Sequence, residues 1–545
     1  MKKSIKKLFA FVLCLCIAFS CASVAFAADT QSEKCPIVFI PGFGQSETKV
    51  YDENGEYLGN VASFDLPGLN DVSGIIKQLL SPVVLSSITR SDKALSETVS
   101  SIMYDLFKPF ALNDDGSYVY NRVVRRFNVP YSQLSEDDKT YVYNRVSLNS
   151  LEGYDDVRYF YTYDSFGSIK TAADGLHDYI HNVVLAQTGA EKIDLIPISQ
   201  GGTVFIEYLD LYPEDAKYIR KVINMIPAFD GSEIVGDIVC DNVTIYDIDK
   251  LHEELLPALI GENDTAYMIS CALRLALSSE TLEKVLRCAL DTAKDILITK
   301  SSMMWALCPA DDYAAAKNTL LSDEKYSAVR AETERYDRAR TAFPENLKKL
   351  MESGVTVHTI ACYDEKYIVG DLFESADHNS DGLLCVSSPS LGATTSKLGE
   401  TLGSDYVSPK TYCSNASHNH LSPDGMIDAS TGCFPENTWY FKGVAHENVN
   451  HREDIKDFAA RLITDDSITD VHSCPGYTQF IDPTELIASK VENNDGTVSY
   501  YDADGNYMYQ EKISDDTDSS FSFWKIPYKM FNICFRILHK LGLSV

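Results

Sequence analysis

Six short apolar runs, each followed by polar or helical sequence, mark buried parallel strands along the chain. They are "PIVFIPG" (36–42), "VRYFYTYD" (157–164), "IDLIPIS" (193–199), "KVINMIPAF" (221–229), "VTVHTIACYD" (355–364) and "TWYFKGVAH" (438–446). Between the second and third runs, apolar residues recur at helical spacing and end at Gly189, a typical C-cap position. Alternating strands and helices predict an α/β fold with a doubly wound, mostly parallel sheet.

Two intervals are too long to be simple crossovers between strands. Residues 47–152 and about 232–350 have a largely helical pattern, for example "SETLEKVLRCALDTAKDILI". We expect helical insertions above the carboxyl edge of the sheet, where they would shape a site. Within and beyond them, "YDENGEY" (51–57) and "YDADGNY" (501–507) each predict a tight hairpin turn.

The two ends of the chain are predicted to lie outside the main domain, which we place at residues 28–515. Residues 1–27 contain four lysines, an apolar run and the small-x-small end Ala25-Phe26-Ala27, the pattern of a signal peptide. Residues 516–545 are a polar linker and a basic amphipathic helix. Residues 519–545 fit either peripheral membrane contact or packing against the domain's own core. The signal peptide predicts a secreted or extracellular protein. Association with the cell surface would depend on the helix predicted at residues 519–545.

Charge and cysteine content narrow the classes of partner. With 48 basic and 79 acidic side chains, the net charge is −31, which argues against a nucleic-acid partner. Of the 14 cysteines, three belong to the predicted signal peptide, and the odd remainder leaves at least one unpaired. Cys413 and Cys433 flank a polar loop, and we expect a disulfide between them. His418 and His420 lie in that loop, but the spacing matches no standard zinc pattern.

Ser199 is the first candidate for chemistry. It follows a strand and precedes an amphipathic segment in Pro197-Ile198-Ser199-Gln200-Gly201, close to the G-x-S-x-G turn that exposes a nucleophilic serine. Proline replaces the first glycine of that pattern. The strand "FIPGFGQS" (39–46) opens into a glycine-rich loop, so the amides of Phe43 and Gln200 are the predicted oxyanion donors.

An acid and a base follow in the chain. Asp381, in "NSDGLLCVSSPSLGA" after the fifth strand, is the predicted acid, with Asp364 in reserve. An EF-hand interpretation of residues 377–382 is disfavoured because its twelfth position is a serine. His446 ends the last predicted strand, where a general base can reach the serine, and we favour it over His451.

Five segments in order resemble secreted bacterial lipases and esterases related to lecithin:cholesterol acyltransferase. "PIVFIPGFGQS" is similar to the oxyanion segment, "YTYDSFGS" to a Tyr-Asp-Trp-Arg segment, "IDLIPISQGG" to the nucleophile turn, "SDGLLCVSSPSLGA" to the acid segment and "GVAHENV" to the histidine loop. The resemblance covers roughly residues 35–46, 155–232 and 354–465. Ser165-Phe166 and Pro197-Ile198 depart from it.

This resemblance implies an α/β-hydrolase that cleaves carboxylic esters through Ser199, His446 and Asp381. No cofactor or metal is expected. The expected substrate is a small-molecule or lipid-like ester, and "SMMWALCPADDY" (302–313) either lines an acyl pocket or packs in the core. A thioesterase or non-lipid esterase on the same residues, and a non-catalytic binding protein on a hydrolase scaffold, remain the alternatives.

Overall fold

The computed structural model describes residues 34–63, 72–145, 151–243, 271, 274, 276–367, 373–474, 476–493 and 495–512. The chain divides into two units, Met1–Cys35 and Pro36–Val545, and the elements given below belong to the second. The predicted signal peptide (1–27) and the predicted linker and amphipathic helix (516–545) all lie outside the described residues. No helix of the described part is long and apolar enough to cross a membrane.

Seven parallel strands form the central sheet. In sheet order they are β12, β11, β8, β7, β6, β1 and β5. Their bounds in chain order are β1 Ile37–Ile40, β5 Arg158–Phe160, β6 Ile193–Pro197, β7 Ile219–Met225, β8 Thr356–Tyr363, β11 Thr438–Lys442 and β12 Phe480–Ile481. All six predicted strands are therefore present in one sheet, and the two-residue edge strand β12 was not predicted.

Eight further strands form small antiparallel sheets. They are β2 Thr48–Tyr51, β3 Tyr57–Asn60, β4 Asn121–Val124, β9 Thr394–Thr395, β10 Ile427–Asp428, β13 Ser489–Glu492, β14 Thr497–Tyr501 and β15 Tyr507–Lys512. The two predicted hairpin turns are confirmed. They join β2 to β3 and β14 to β15, and Gly55 and Gly505 both have a φ of +82° there. This left-handed conformation favours glycine at the turn.

Helices cover both faces of the central sheet. The described α-helices of four or more residues are α1 Val72–Thr89, α2 Lys93–Phe107, α3 Glu136–Arg145, α4 Ile169–Tyr179, α5 Gly201–Leu211, α6 Glu233–Val239, α7 Ser279–Lys294, α8 Ser302–Trp305, α9 Ala310–Leu320, α10 Ser327–Glu352, α11 Ser387–Ser390 and α12 Glu453–Thr464. Side chains alternate along β1, so Val38 and Ile40 pack with α4, α5 and α10. Ile37 and Phe39 belong to the opposite layer, which contains α12. The predicted doubly wound α/β architecture is confirmed.

The two long insertions differ in part from the expectation. The first contains the helices α1, α2 and α3, as its pattern predicts, and it also contains an antiparallel sheet formed by β2, β3 and β4. Thr48 and Val50 are buried while Lys49 and Tyr51 are partly exposed, an alternation of period two that indicates strand. The second insertion ends before α10, since Phe343 and Leu347 of that helix pack in the core under the sheet. Helix α10 is therefore part of a covering layer.

Candidate functional site

Strand β1 lies at the point where the strand order reverses. It pairs with β5 on one side and with β6 on the other. In open α/β sheets, ligands bind beyond the carboxyl ends of the strands at such a point. The segments that leave β1 and β6 there begin at Pro41 and Ile198, and they include Phe43 and Ser199. The topology thus brings the predicted oxyanion loop and the predicted nucleophile to one place.

Ser199 lies on a sharp turn between β6 and α5. Its φ is +52°, a left-handed conformation that is uncommon for a residue with a side chain. The turn has no room for side chains at its glycines. A Cβ on Gly201 would meet the Ile40 carbonyl oxygen at 2.2 Å, and one on Gly202 would meet Pro227 Cβ at 2.8 Å. This strained turn presents the Ser199 side chain above the sheet edge.

Pro197 is accommodated as the last residue of β6. Ile198 donates its N–H to Ile40 O on the β1 side, whereas Ser199 donates to Met225 O on the β7 side. Alternate residues of a strand donate in opposite directions, so the N–H that proline lacks falls on the β7 side. The turn keeps its hydrogen bonds on either side of this position, and the proline leaves the conformation of Ser199 in place.

His446 links Ser199 to Asp381. Ser199 Oγ lies 2.8 Å from His446 Nε2, and His446 Nδ1 lies 2.7 Å from Asp381 Oδ2. Asp381 is fully buried, and its other oxygen, Oδ1, accepts the backbone N–H groups of Leu383 at 3.0 Å and Leu384 at 2.7 Å. His446 also donates its backbone N–H to Asp381 O at 2.7 Å. An ionised carboxylate only accepts hydrogen bonds, so Nδ1 carries the proton and Nε2 accepts from the serine hydroxyl.

The two reserve candidates lie apart from this chain of hydrogen bonds. Asp364 pairs with Lys442 at 3.7 Å and accepts no contact from His446 among the described hydrogen bonds. His451 is exposed at the end of the 3₁₀ turn that begins with His446. The residues of the disfavoured EF-hand interpretation do not share a site, because Asp377 pairs with Lys397 while Asn379 Oδ1 accepts the Asp364 N–H.

The loop after β1 packs directly on Ser199. A Cβ on Gly42 would lie 2.9 Å from Ser199 Cβ and 3.4 Å from Ser199 Oγ. The amides on either side of Phe43 are held by side chains: Gly42 N–H donates to Gln45 Oε1 at 2.7 Å, and Gly44 N–H donates to Ser165 Oγ at 3.2 Å. These contacts fix the loop that carries the Phe43 amide beside the serine.

A buried network joins that loop to the second predicted donor, Gln200. The Gln200 side chain is fully buried and donates Nε2–H to Ser165 O at 3.2 Å. The Tyr163 hydroxyl donates to Pro41 O at 2.7 Å and lies 3.4 Å from Gln200 Oε1. The positioning roles of Tyr163, Ser165 and Gln45 were not predicted. The signal for the first two was the segment "YTYDSFGS", which carries them directly after β5.

The histidine side of the site is acidic. Burial raises the pKa of Glu365, and the nearby carboxylates of Asp364 and Glu447 add to this. Burial also raises the pKa of Glu233, whose Oε2 accepts hydrogen bonds from the Tyr367 hydroxyl at 3.1 Å and the Cys385 N–H at 3.2 Å. Lys442 lies 3.7 Å from Asp364, so a positive charge also stands on this side of the site.

The segment 302–313 is buried. Met303, Met304 and Trp305 are at most 7% exposed, and Trp305 Nε1–H donates to Thr299 O at 3.0 Å. Met304 and Trp305 pack in one apolar cluster with Phe110, Phe166 and Tyr313. Core packing therefore accounts for these side chains as they stand.

Comparison with known proteins adds little. No protein-family model matches the chain, and no curated protein matches it. Among solved structures, the crystal structure of the Tle4–Tli4 complex is similar with a TM-score of 0.31 and 10% sequence identity, over 81% of this chain and 100% of that one. A similarity of this size carries no argument about function.

Proposed function

We propose that this protein is an α/β-hydrolase that cleaves carboxylic esters through an acyl-enzyme. The observation that carries the proposal is the chain of two hydrogen bonds from Ser199 through His446 to Asp381, which begins at a serine with left-handed backbone. The order serine, acid, histidine along the chain is also that of α/β-hydrolases.

Each residue has one role in the proposed reaction. Ser199 Oγ attacks the ester carbonyl carbon while His446 Nε2 takes the hydroxyl proton. The tetrahedral oxyanion is held by the backbone N–H groups of Phe43 and Gln200. The tetrahedral intermediate then expels the alcohol, which receives the proton from His446. Water, activated by the same histidine, cleaves the acyl-serine. Asp381 keeps the proton on Nδ1 and stabilises the imidazolium that forms in both steps.

One observation favours a lipid-like ester as the substrate class. Leu80, Val84, Leu85 and Ile88 of α1 are between 48% and 75% exposed. An apolar helical face of this size is typical of proteins that meet lipid or another apolar surface.

The test is hydrolysis of p-nitrophenyl esters of short and long acyl chains, together with labelling by a fluorophosphonate. Wild type should turn over and label at Ser199. Ser199→Ala and His446→Ala should each lose at least about a thousandfold in kcat, and Asp381→Asn about ten-thousandfold because the imidazole adopts the wrong tautomer.

Matched controls come from the two reserve residues. His451→Ala and Asp364→Asn should stay within about twofold of wild type, as is usual for substitutions away from a site. A wild-type protein that hydrolyses no ester and takes no fluorophosphonate would overturn the proposal and favour a binding role. A thousandfold loss in His451→Ala, with none in His446→Ala, would contradict the assignment of the base.

A further inference from the structure

A second cluster of reactive side chains lies in the loop that precedes β11, apart from the residues proposed for ester cleavage. Cys413, His418, His420 and Glu436 each offer one donor atom, and these atoms all lie within 4.8 Å of one another. Cys413 and His420 are buried, and Glu436 stands two residues before β11. The ring of His472 lies over that of His418, with centroids 3.9 Å apart.

The disulfide expected between Cys413 and Cys433 is not formed, and that prediction was wrong. Cys413 Sγ faces His418 Nδ1 at 3.6 Å and Glu436 Oε1 at 3.4 Å. Cys433 instead interacts with the Tyr412 side chain, which raises the pKa of that tyrosine. The two thiols therefore have different partners, and Cys413 belongs to the polar cluster.

Two of the distances among Cys413, His418 and Glu436 have the length expected of a tetrahedral metal site. Zinc binds thiolate sulfur at about 2.3 Å and imidazole nitrogen or carboxylate oxygen at about 2.0 Å, which places tetrahedral ligand atoms about 3.3–3.6 Å apart. The sulfur–nitrogen and sulfur–oxygen distances of 3.6 Å and 3.4 Å match this, and His418 Nδ1 to Glu436 Oε1 is somewhat shorter at 2.9 Å.

The fourth donor, His420, is prepared for a metal by a buried neighbour. Gln479 donates Nε2–H to Pro435 O at 2.6 Å and to Thr438 O at 3.0 Å, which fixes the orientation of its amide. Gln479 Oε1 therefore accepts from His420 Nδ1, 2.7 Å away. The proton is then on Nδ1, and Nε2 carries a lone pair. His420 is only 4% exposed, and its Nε2 atom is buried without a hydrogen-bond partner in the described part of the chain.

A buried hydrogen-bond acceptor that has no donor costs free energy, and coordination to a metal ion satisfies its lone pair. An ion pair between His418 and Glu436 alone would leave His420 Nε2 unexplained. We propose that Cys413, His418, His420 and Glu436 bind a zinc ion. This mixed set of thiolate, imidazole and carboxylate ligands suits zinc.

Zinc binding requires one net proton loss, one proton shift and one small rearrangement. The Cys413 thiol releases its proton to solvent, and the single proton of the neutral His418 ring moves from Nδ1 to Nε2 by exchange with solvent. Nε2 lies 2.9 Å from Asn415 Nδ2, so the exposed Asn415 amide turns to offer its oxygen instead. With four protein ligands there is no open position, which makes the site structural. It anchors a loop with little regular structure to the start of β11, the strand that leads to His446.

The experiment measures zinc in the purified full-length protein, reconstituted under reducing conditions, by elemental analysis. We expect about one zinc per chain in wild type, and less than about a fifth of that in Cys413→Ser and His418→Asn because each removes a ligand. Cys433→Ser is the matched control and should keep its zinc. Gln479→Ala should bind zinc about 10–100-fold more weakly, since it frees the His420 ring.

A spectroscopic measurement separates ligand loss from misfolding. Cobalt loaded in place of zinc should show thiolate charge-transfer absorption in wild type and Cys433→Ser but not in Cys413→Ser, and a strong chelator should lower the Tm of the first two proteins. Absence of bound zinc or cobalt in wild type would overturn the proposal. So would a disulfide between Cys413 and Cys433 found by peptide mapping of the purified protein, with Cys413→Ser and Cys433→Ser behaving alike.

Discussion

Ser199 stores backbone strain at the position where the proposed chemistry occurs. Its φ of +52° costs a residue with a side chain on the order of 1–2 kcal/mol relative to ordinary conformations. The turn persists because Gly42, Gly201 and Gly202 pack too closely to allow another path. Strain of this kind is typical of nucleophiles, which must stand clear of the sheet to be reached by substrate.

Relief of that strain gives a prediction about stability. Ser199→Gly and Ser199→Ala both lack the nucleophile, but only glycine adopts a left-handed backbone without steric cost. We expect the glycine variant to be more stable than the alanine variant by about 1 kcal/mol, because alanine has the steric cost of a left-handed backbone and glycine does not. Urea unfolding of the two inactive proteins measures the difference. A glycine variant less stable than the alanine variant would show that Ser199 is not strained.

Ser199 and His446 lie at the ends of predicted strands, so chain order and strand position were enough to select them. Asp381 lies well beyond the end of its strand and was preferred because its segment resembles the acid segment of the lipases. The rejection of Asp364 and His451 depends on where a loop turns back, which no local pattern records. Asp364 is nearer β8 than Asp381, yet the segment after it folds so that Asp381 faces the histidine.

At the level of elements, a buried ion pair joins the inserted sheet to the central one. Arg122 of β4 lies 2.7 Å from Asp164, just beyond β5, and the two side chains are 1% and 4% exposed. Asp164 Oδ1 also accepts the Phe166 N–H at 2.9 Å. Ser165, next in the chain, holds the loop that carries Phe43. The ion pair therefore positions the proposed oxyanion loop through its neighbour.

Substitution of Arg122 alone should greatly lower the stability of the protein. In Arg122→Met the Asp164 carboxylate is left buried and uncompensated, and we expect about 3–5 kcal/mol lower free energy of unfolding. The double variant Arg122→Met, Asp164→Asn should recover most of this, because no unpaired charge remains. Chemical denaturation measures both.

The control for this pair is Arg287→Met, which removes a partly exposed arginine from a helical ion pair with Glu283. Such surface pairs contribute less than about 1 kcal/mol. If the double variant is as unstable as the single one, the loss comes from packing and not from the unpaired charge.

Elements differ in how well the sequence predicts them. The six predicted central strands were found because strands buried on both faces read as continuous apolar runs. The edge strand β12 has two residues, too few for a pattern, and β4 reads Asn-Arg-Val-Val, with no alternation of apolar and polar residues. Helix α10 could not be distinguished from the insertion before it, because a helix that covers a sheet and a helix of an insertion are both amphipathic. The pairing of cysteines and histidines across a loop depends on tertiary contacts alone.

For the whole molecule, one buried histidine links stability to pH. His358 of β8 is fully buried, its ring centroid lies 5.1 Å from that of Trp439, and its Nε2–H donates to Ile468 O at 3.2 Å. Burial, helped by the positive charge of Lys221, lowers its pKa to about 4. The folded protein therefore keeps this ring neutral between about pH 4 and 6.5, where the unfolded chain takes up a proton.

The contribution of His358 to the free energy of unfolding should therefore be constant above pH 6.5 and should fall as the pH drops from 6.5 to 4. A pKa lowered by about 2.5 corresponds to about 3 kcal/mol over that window. His358→Gln lacks the titrating ring, so its loss of stability between pH 7 and pH 4 should be smaller than that of wild type by this amount. Urea unfolding at several pH values measures the two slopes.

The exposed His451 supplies the control, because His451→Gln should follow the wild-type pH dependence. Equal slopes for wild type and His358→Gln would mean that His358 titrates normally in the folded protein.

The order of strands in the central sheet has a consequence for synthesis of the chain. After β1, strand β5 closes one edge of the sheet and β6 pairs on the other side of β1, and β7, β8, β11 and β12 are then added outward on that side. The chain that forms the Ser199 turn ends with β7, well before His446 is synthesised. Because a domain generally folds as a unit, the proposed hydrolytic site would be completed only when β11 joins the sheet and brings His446 to Ser199.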